Sequence, residues 1–178
     1  MCFEFLRITM IPACRSADHE YEAIKGDRID CGHARCVFEV KGSSDLVLKE
    51  AKPGMNSHNE NEATFYSTSI INGLSRVTDC IAKVLSISKS GKFLIMEKLC
   101  TQLDPALKSC AQVPVEIDDP HARNYGMTSD KKTIKCIDYG TWDTTKEISG
   151  MLKPVPFQSE ERISEMRKNI DDLNDILD

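Results

Sequence analysis

The sequence predicts an α+β fold with an antiparallel sheet in its amino-terminal half. Two observations carry that prediction. Apolar, β-branched runs at 34–40, 45–50, 81–88 and 92–97 are separated by turn signals at Pro53-Gly54 and Lys89-Ser-Gly91. A polar helical segment at 58–72 sits between the second and third runs. Composition bounds the rest. A chain of 178 residues is one domain long and large enough to bury a core. Its hydrophobic share of 40% beside 29% charged residues is ordinary for a soluble globular protein.

The elements follow in order. A strand is expected at about 3–10, followed by a polar stretch at 15–27. The runs at 34–40 and 45–50 read as strands, and Pro53-Gly54 breaks the chain before the helix at 58–72. Residues 81–88 and 92–97 read as a hairpin. A short helix is expected at 103–110, a lead-in at 113–116 and a strand at 133–137. From Ser159 onward, Ile163, Met166, Ile170, Leu173 and Leu177 recur at alternating steps of three and four, so 159–178 reads as an amphipathic helix with Ser159 as N-cap. Its apolar stripe packs on the body of the domain or, alternatively, meets a second chain.

Charge and cysteine usage exclude several functions. The net charge of −5 and the lack of a Lys/Arg cluster exclude a nucleic-acid partner. No apolar stretch reaches transmembrane length, and the run Met1-Cys-Phe-Glu-Phe-Leu-Arg7 is not a signal peptide. No membrane association and a cytoplasmic location are therefore expected. The eight cysteines (Cys2, Cys14, Cys31, Cys36, Cys80, Cys100, Cys110 and Cys136) contain no Cys-x-x-Cys, and are expected to be reduced and buried as small hydrophobes. Cys31-Gly-His-Ala-Arg-Cys36 has a hint of metal spacing, but no second pair follows at a ligand distance.

The chemistry-bearing residues lie in a fixed order. In Ile117-Asp-Asp-Pro-His-Ala-Arg-Asn-Tyr-Gly126, Asn124 follows Asp119 by five positions, and Asp138 follows fourteen later in Ile137-Asp-Tyr-Gly140. Upstream, Lys49 ends an apolar strand in Ser44-Asp-Leu-Val-Leu-Lys-Glu-Ala51, and an acidic helix follows with Glu62 as its expected partner and Glu60 as the alternative. Gly91-Lys-Phe-Leu-Ile-Met-Glu-Lys-Leu99 reads as a turn and a buried strand. Ile29-Asp-Cys-Gly-His-Ala-Arg-Cys-Val-Phe-Glu-Val40 leads into the second strand. Set against a G-x-G-x-x-G-x-V pattern it offers Asp30, Gly32 and Arg35, so only the middle glycine is present.

Taken together, residues 27–142 resemble the protein kinase-like superfamily, in a very small form. His121, two residues after Asp119, is similar to the Asp-x-His-x-x-Asn loop of small phage or effector kinases and of aminoglycoside and choline phosphotransferases. The resemblance implies an antiparallel-sheet N-lobe at about 1–99, a strongly truncated helical C-lobe at about 100–157 and the tail helix at 159–178. It implies ATP and magnesium as cofactors. Asp119 would be the catalytic base, with Lys49 on the phosphates, Glu62 holding Lys49, and Gly32 lying over the phosphates. Backbone from Glu97 to Leu99 would meet adenine, and Asn124 and Asp138 would hold the metal. Only some 22 residues separate Glu97 from Asp119 and 40 follow Asp138, too few for a full peptide-docking lobe, and no Ala-Pro-Glu is present. The expected function is phosphotransfer to a protein hydroxyl or to the chain itself. The alternative is a weak or inactive kinase-like module that regulates a protein partner, with a third option in a small-molecule kinase.

Overall fold

The computed structural model describes residues 10–119 and 121–157. A short helix α1 (Asp18–Ile24) runs into strand β1 (Lys25–Cys31), followed by β2 (Arg35–Val40) and β3 (Ser43–Ala51). Helix α2 (Asn56–Ile71) and the one-turn α3 (Ser75–Asp79) then lead to β4 (Val84–Ile87) and β5 (Phe93–Glu97). The five strands form one antiparallel sheet in the order β1-β2-β3-β5-β4, with α2 inserted between the third and fourth strands of the chain. The α+β class and the antiparallel sheet expected from the sequence are therefore present.

Alternation along the strands assigns each residue to a face. Phe93 and Ile95 join Tyr21, Val40 and Leu48 in a cluster under α1, while Leu94 and Met96 join Val47 and Phe65 in the cluster under α2. Burial on both faces explains why Phe93–Met96 is a continuous apolar run. The same period of two puts Lys49 on the α2 side with Val47, and Leu48 on the opposite side. Val37 lies opposite Lys49 in the register, so Arg35, two residues earlier on β2, also faces α2.

Helix α2 buries Asn59, Glu62, Phe65 and Ser69, a single face at helical spacing on which only Phe65 is apolar. Asn59 fastens the helix to the sheet by donating to the carbonyls of Gly91 at 3.0 Å and Lys92 at 2.9 Å. The helix ends at Asn72-Gly73, where Gly73 takes φ +66°.

The second half is less regular. It carries α4 (Pro105–Lys108), β6 (Gln112–Pro114), a 3-10 turn at Ala122–Asn124, β7 (Tyr125–Met127), β8 (Ile134–Cys136) and β9 (Leu152–Pro154). Strands β6 and β9 pair, as do β7 and β8. Single bridges from Ile81 to Cys136 and from Cys100 to Met127 join this half to the first. Residues 139–142 pack on α2, with Tyr139 and Trp142 against Phe65, the Trp142 ring edge-on at 5.0 Å. Gly140 is needed there, since a Cβ would come within 2.5 Å of the His58 carbonyl oxygen on α2.

Several expectations are corrected. The helical C-lobe reduces, among the described residues, to one four-residue helix and a 3-10 turn; the helix expected at 103–110 is only Pro105–Lys108, started by the Asp104 cap and its following proline. The polar stretch at 15–27 contains α1 and the start of β1, because Tyr21, with Ile24 beside it, anchors a short helix whose other residues are mostly polar. The strand expected at 81–88 is Val84–Ile87. The cysteines are not uniformly reduced and buried: Cys31 and Cys36, opposite one another on β1 and β2, form a disulfide, and Cys14, Cys100 and Cys110 are exposed. That pairing also removes both thiols from any metal site. The strand expected at 3–10, apart from Met10, and the helix at 159–178 with its possible oligomer contact lie outside the described residues. Among the described residues no helix is long and apolar enough to cross a membrane.

Leu48 is fully buried under α1, so Leu48→Ala should lower stability by about 2–5 kcal/mol through lost transfer energy and a residual cavity. Urea denaturation would show this as a lower midpoint at unchanged slope.

Candidate functional site

Four charged side chains meet where the α2 face of the sheet, helix α2 and the segment after β8 converge. Lys49 Nζ donates to both carboxylate oxygens of Glu62 at 3.0 Å and to the Ile137 carbonyl at 2.5 Å. Arg35 donates to Glu62 Oε1 at 2.9 Å, to Asn59 Oδ1 at 3.2 Å and to Asp138 Oδ1 at 2.5 Å, and its second nitrogen lies 2.8 Å from Glu62 Oε2. Glu62 Oε1 also accepts the Tyr139 backbone N–H at 3.1 Å. Arg35, Lys49 and Glu62 are buried, whereas the Asp138 side chain is 44% exposed and forms the solvent edge of the cluster.

The electrostatics follow from that burial. Desolvation would raise the Glu62 carboxyl, but Arg35 and Lys49 outweigh it and pull the group down to about 2. For Lys49 the balance goes the other way: burial and the neighbouring Arg35 charge lower its pKa despite Glu62. Arg35 is also penalised by burial, yet Glu62 and Asp138 raise it, so it stays cationic. Two cations and two carboxylates therefore balance in a largely dry space.

The remaining expected residues surround this cluster at different removes. Asn124 is buried; its carbonyl accepts the Ile137 N–H at 2.7 Å, which places it next to the Asp138 segment, and its side-chain amide makes no hydrogen bond among the described residues. Asp119, half-buried in the same loop, accepts the His121 N–H at 3.3 Å and touches none of the four charged groups. Gly32 lies in the β1–β2 turn, its N–H bonded to the Arg35 carbonyl at 2.8 Å. A Cβ there would meet only that oxygen, at 3.7 Å, so the backbone does not demand glycine at this position. The Glu97 carboxylate is occupied by the Lys83 N–H at 2.7 Å and Lys135 at 2.8 Å. Along 97–100 the N–H groups of Glu97, Lys98 and Cys100 bond to backbone carbonyls, which leaves the Leu99 N–H without a partner among the described residues. Gly126 of β7 packs directly beneath, where a Cβ would lie 2.5 Å from that of Leu99.

Of the expected pairings, the structure brings Lys49 to Glu62 and gives Glu60 instead to Arg15, in a two-pronged contact at 2.8 and 2.9 Å. Arg35 had no role in the sequence reading. The signal that could have found it is its place two residues before Val37, but this becomes informative only once Val37 is known to face Lys49.

The donor set was tested for the two implied cofactors. The charge of Arg35 and Lys49 suits a phosphate at the half-exposed edge at Asp138, and the Leu99 N–H suits a ring acceptor. Magnesium prefers carboxylate and water oxygens in near-octahedral geometry. Here the guanidinium already sits on Asp138, so a divalent ion does not fit beside it; it needs that bond broken. Among the described residues no three His, Cys, Asp or Glu side chains converge as a metal set. No protein-family model matches this chain, and no curated protein sequence does.

Because the Glu62 carboxyl is held at about 2 against an ordinary 4.5, its ion pairs stabilise the fold above the higher value, and the contribution disappears as pH falls toward the lower. Glu62→Gln should therefore flatten the acid limb of the stability profile across that window. It should also cost about 3–5 kcal/mol at neutral pH by leaving two buried cations short of a partner. Denaturation midpoints measured at a series of pH values check both.

Proposed function

We propose that this chain is a minimal kinase-like phosphotransferase that takes ATP as donor and a hydroxyl of a protein, or of the chain itself, as acceptor. The observation that carries the reading is the Lys49–Glu62 pair, closed from strand to helix at 3.0 Å and bonded to the backbone on either side of Asp138. A lysine held in one rotamer by a glutamate on a neighbouring helix, beside an Asp-x-Gly segment, is the arrangement that kinase chemistry uses to position phosphates. The strand order β1-β2-β3-β5-β4 with α2 crossing behind Lys49 supports the same reading.

In this proposal each residue has a limited task. Asp119, on the loop before Asn124, orients the acceptor hydroxyl and takes its proton. Leu99 offers its backbone N–H to adenine, and Lys49 and Arg35 supply positive charge to the phosphates. Asn124 and Asp138, the expected magnesium ligands, carry no step here, because Arg35 occupies Asp138 and the donor set does not fit a divalent ion. The Arg35–Asp138 bond favours a second reading, a catalytically weak module whose nucleotide state regulates a protein partner.

Incubation with γ-labelled ATP and magnesium should transfer label to protein, and Asp119→Ala should reduce that transfer by about a hundredfold or more. Absent label with calorimetrically detectable ATP binding would move the assignment to the regulatory module. Absence of both would overturn the nucleotide-site reading.

A further inference from the structure

We propose that Arg35 is the resident phosphate-binding cation of this site, standing in for a divalent metal, so that the chain takes nucleotide phosphates without one. This rests on the nucleotide-site reading above and specifies which group meets the phosphates. The argument begins with donor accounting. The three ammonium hydrogens of Lys49 are all used, two on Glu62 and one on the Ile137 carbonyl. An incoming phosphate finds no free donor there without dismantling the buried pair.

Arg35 differs. Its two terminal nitrogens are engaged with Asn59, Glu62 and Asp138, which leaves the Nε–H as the fifth donor with no partner among the described residues. The Arg35 side chain retains 6% of its surface to solvent. Its most exposed neighbour is Asp138, whose side chain is 44% open while Glu62 is sealed. A phosphate approaching from the solvent edge can therefore take the Nε–H and replace Asp138 on the terminal nitrogen. That is the two-pronged geometry guanidinium groups favour for phosphate. Arg35 stays anchored through Glu62 and Asn59 during the exchange, so no buried charge is stranded.

The same geometry sets Arg35 against magnesium. A metal on Asp138 would stand in contact with a guanidinium that burial and Glu62 keep in place, and like charges at that distance repel strongly in a poorly solvated space. The cation and the metal are thus alternative occupants of Asp138. The β1–β2 turn explains why the arginine took on this role. No glycine flanks Gly32 at the neighbouring pattern positions, and the Cys31 and Gly32 N–H groups are bonded to Asp30 Oδ1 and the Arg35 carbonyl, so a side chain supplies the charge instead.

The test is calorimetric binding of ADP to the full chain, in EDTA and in excess magnesium, for wild type, Arg35→Ala and Asp138→Asn. Wild type should bind in EDTA at least as well as in magnesium. Arg35→Ala should lose about tenfold or more of its metal-free affinity, the scale of one charge-assisted phosphate contact, and become magnesium-dependent. Asp138→Asn should bind metal-free ADP more tightly, because Arg35 is released and a carboxylate that repels phosphate is gone; a merely structural role for Arg35 predicts no such gain. Where thermal melting shows Arg35→Ala unfolded, Arg35→Lys replaces it and should shift in the same direction by less. Wild-type binding that requires magnesium, or metal-free binding unchanged in the arginine variant, overturns the proposal while leaving the nucleotide site standing. No ADP binding by any protein in either buffer overturns the nucleotide site itself.

Discussion

The architecture depends on Glu62. Its carboxylate is sealed from solvent and accepts from a β2 arginine, a β3 lysine and a backbone N–H after β8. Burying an ion pair is seldom a net gain in stability, because desolvation offsets the attraction. What this one supplies is position. Four separate stretches of chain must be in register for both carboxylate oxygens to be satisfied, and a one-residue slip of β2 would turn Arg35 to the wrong face. The apolar clusters on the two faces of the sheet provide the bulk of the burial, and the ionic cluster selects among the packings they would allow.

Much of this was legible in the sequence where the signal was local. Apolar, β-branched runs between turn signals marked β2, β3 and β5, and the Pro53-Gly54 break located the start of α2 to within two residues. The sequence offered Glu62 ahead of Glu60 as the partner of Lys49, and the structure decides it because positions 59, 62, 65 and 69 share the buried face of the helix. Non-local pairing was not legible. The roles of Arg35 and of the Cys31–Cys36 link both depend on strand register, which no short motif encodes. Helix α1 was missed for a different reason, since a single buried tyrosine gives no periodicity to detect.

The second half shows what a small chain gives up. Among the described residues its strands are three residues long and its one α-helix spans a single turn, so packing there relies on aromatic residues, such as Trp142 reaching across to Phe65 and Phe157 against Tyr125. The Asp119 loop is carried on this thinner scaffold, whereas Lys49, Glu62 and Arg35 sit on the thicker one.

The contact between Gly140 and the His58 carbonyl has a mechanical consequence. With no side chain between them, and with Asn61 donating to the Gly140 carbonyl at 2.9 Å and Trp142 Nε1 donating to the Asn61 carbonyl at 3.1 Å, the turn after Asp138 is riveted to the first half of α2. Helix and turn therefore travel as one lever. A displacement of α2 from the sheet would carry Asp138 with it and part Arg35 from both of its carboxylate partners together.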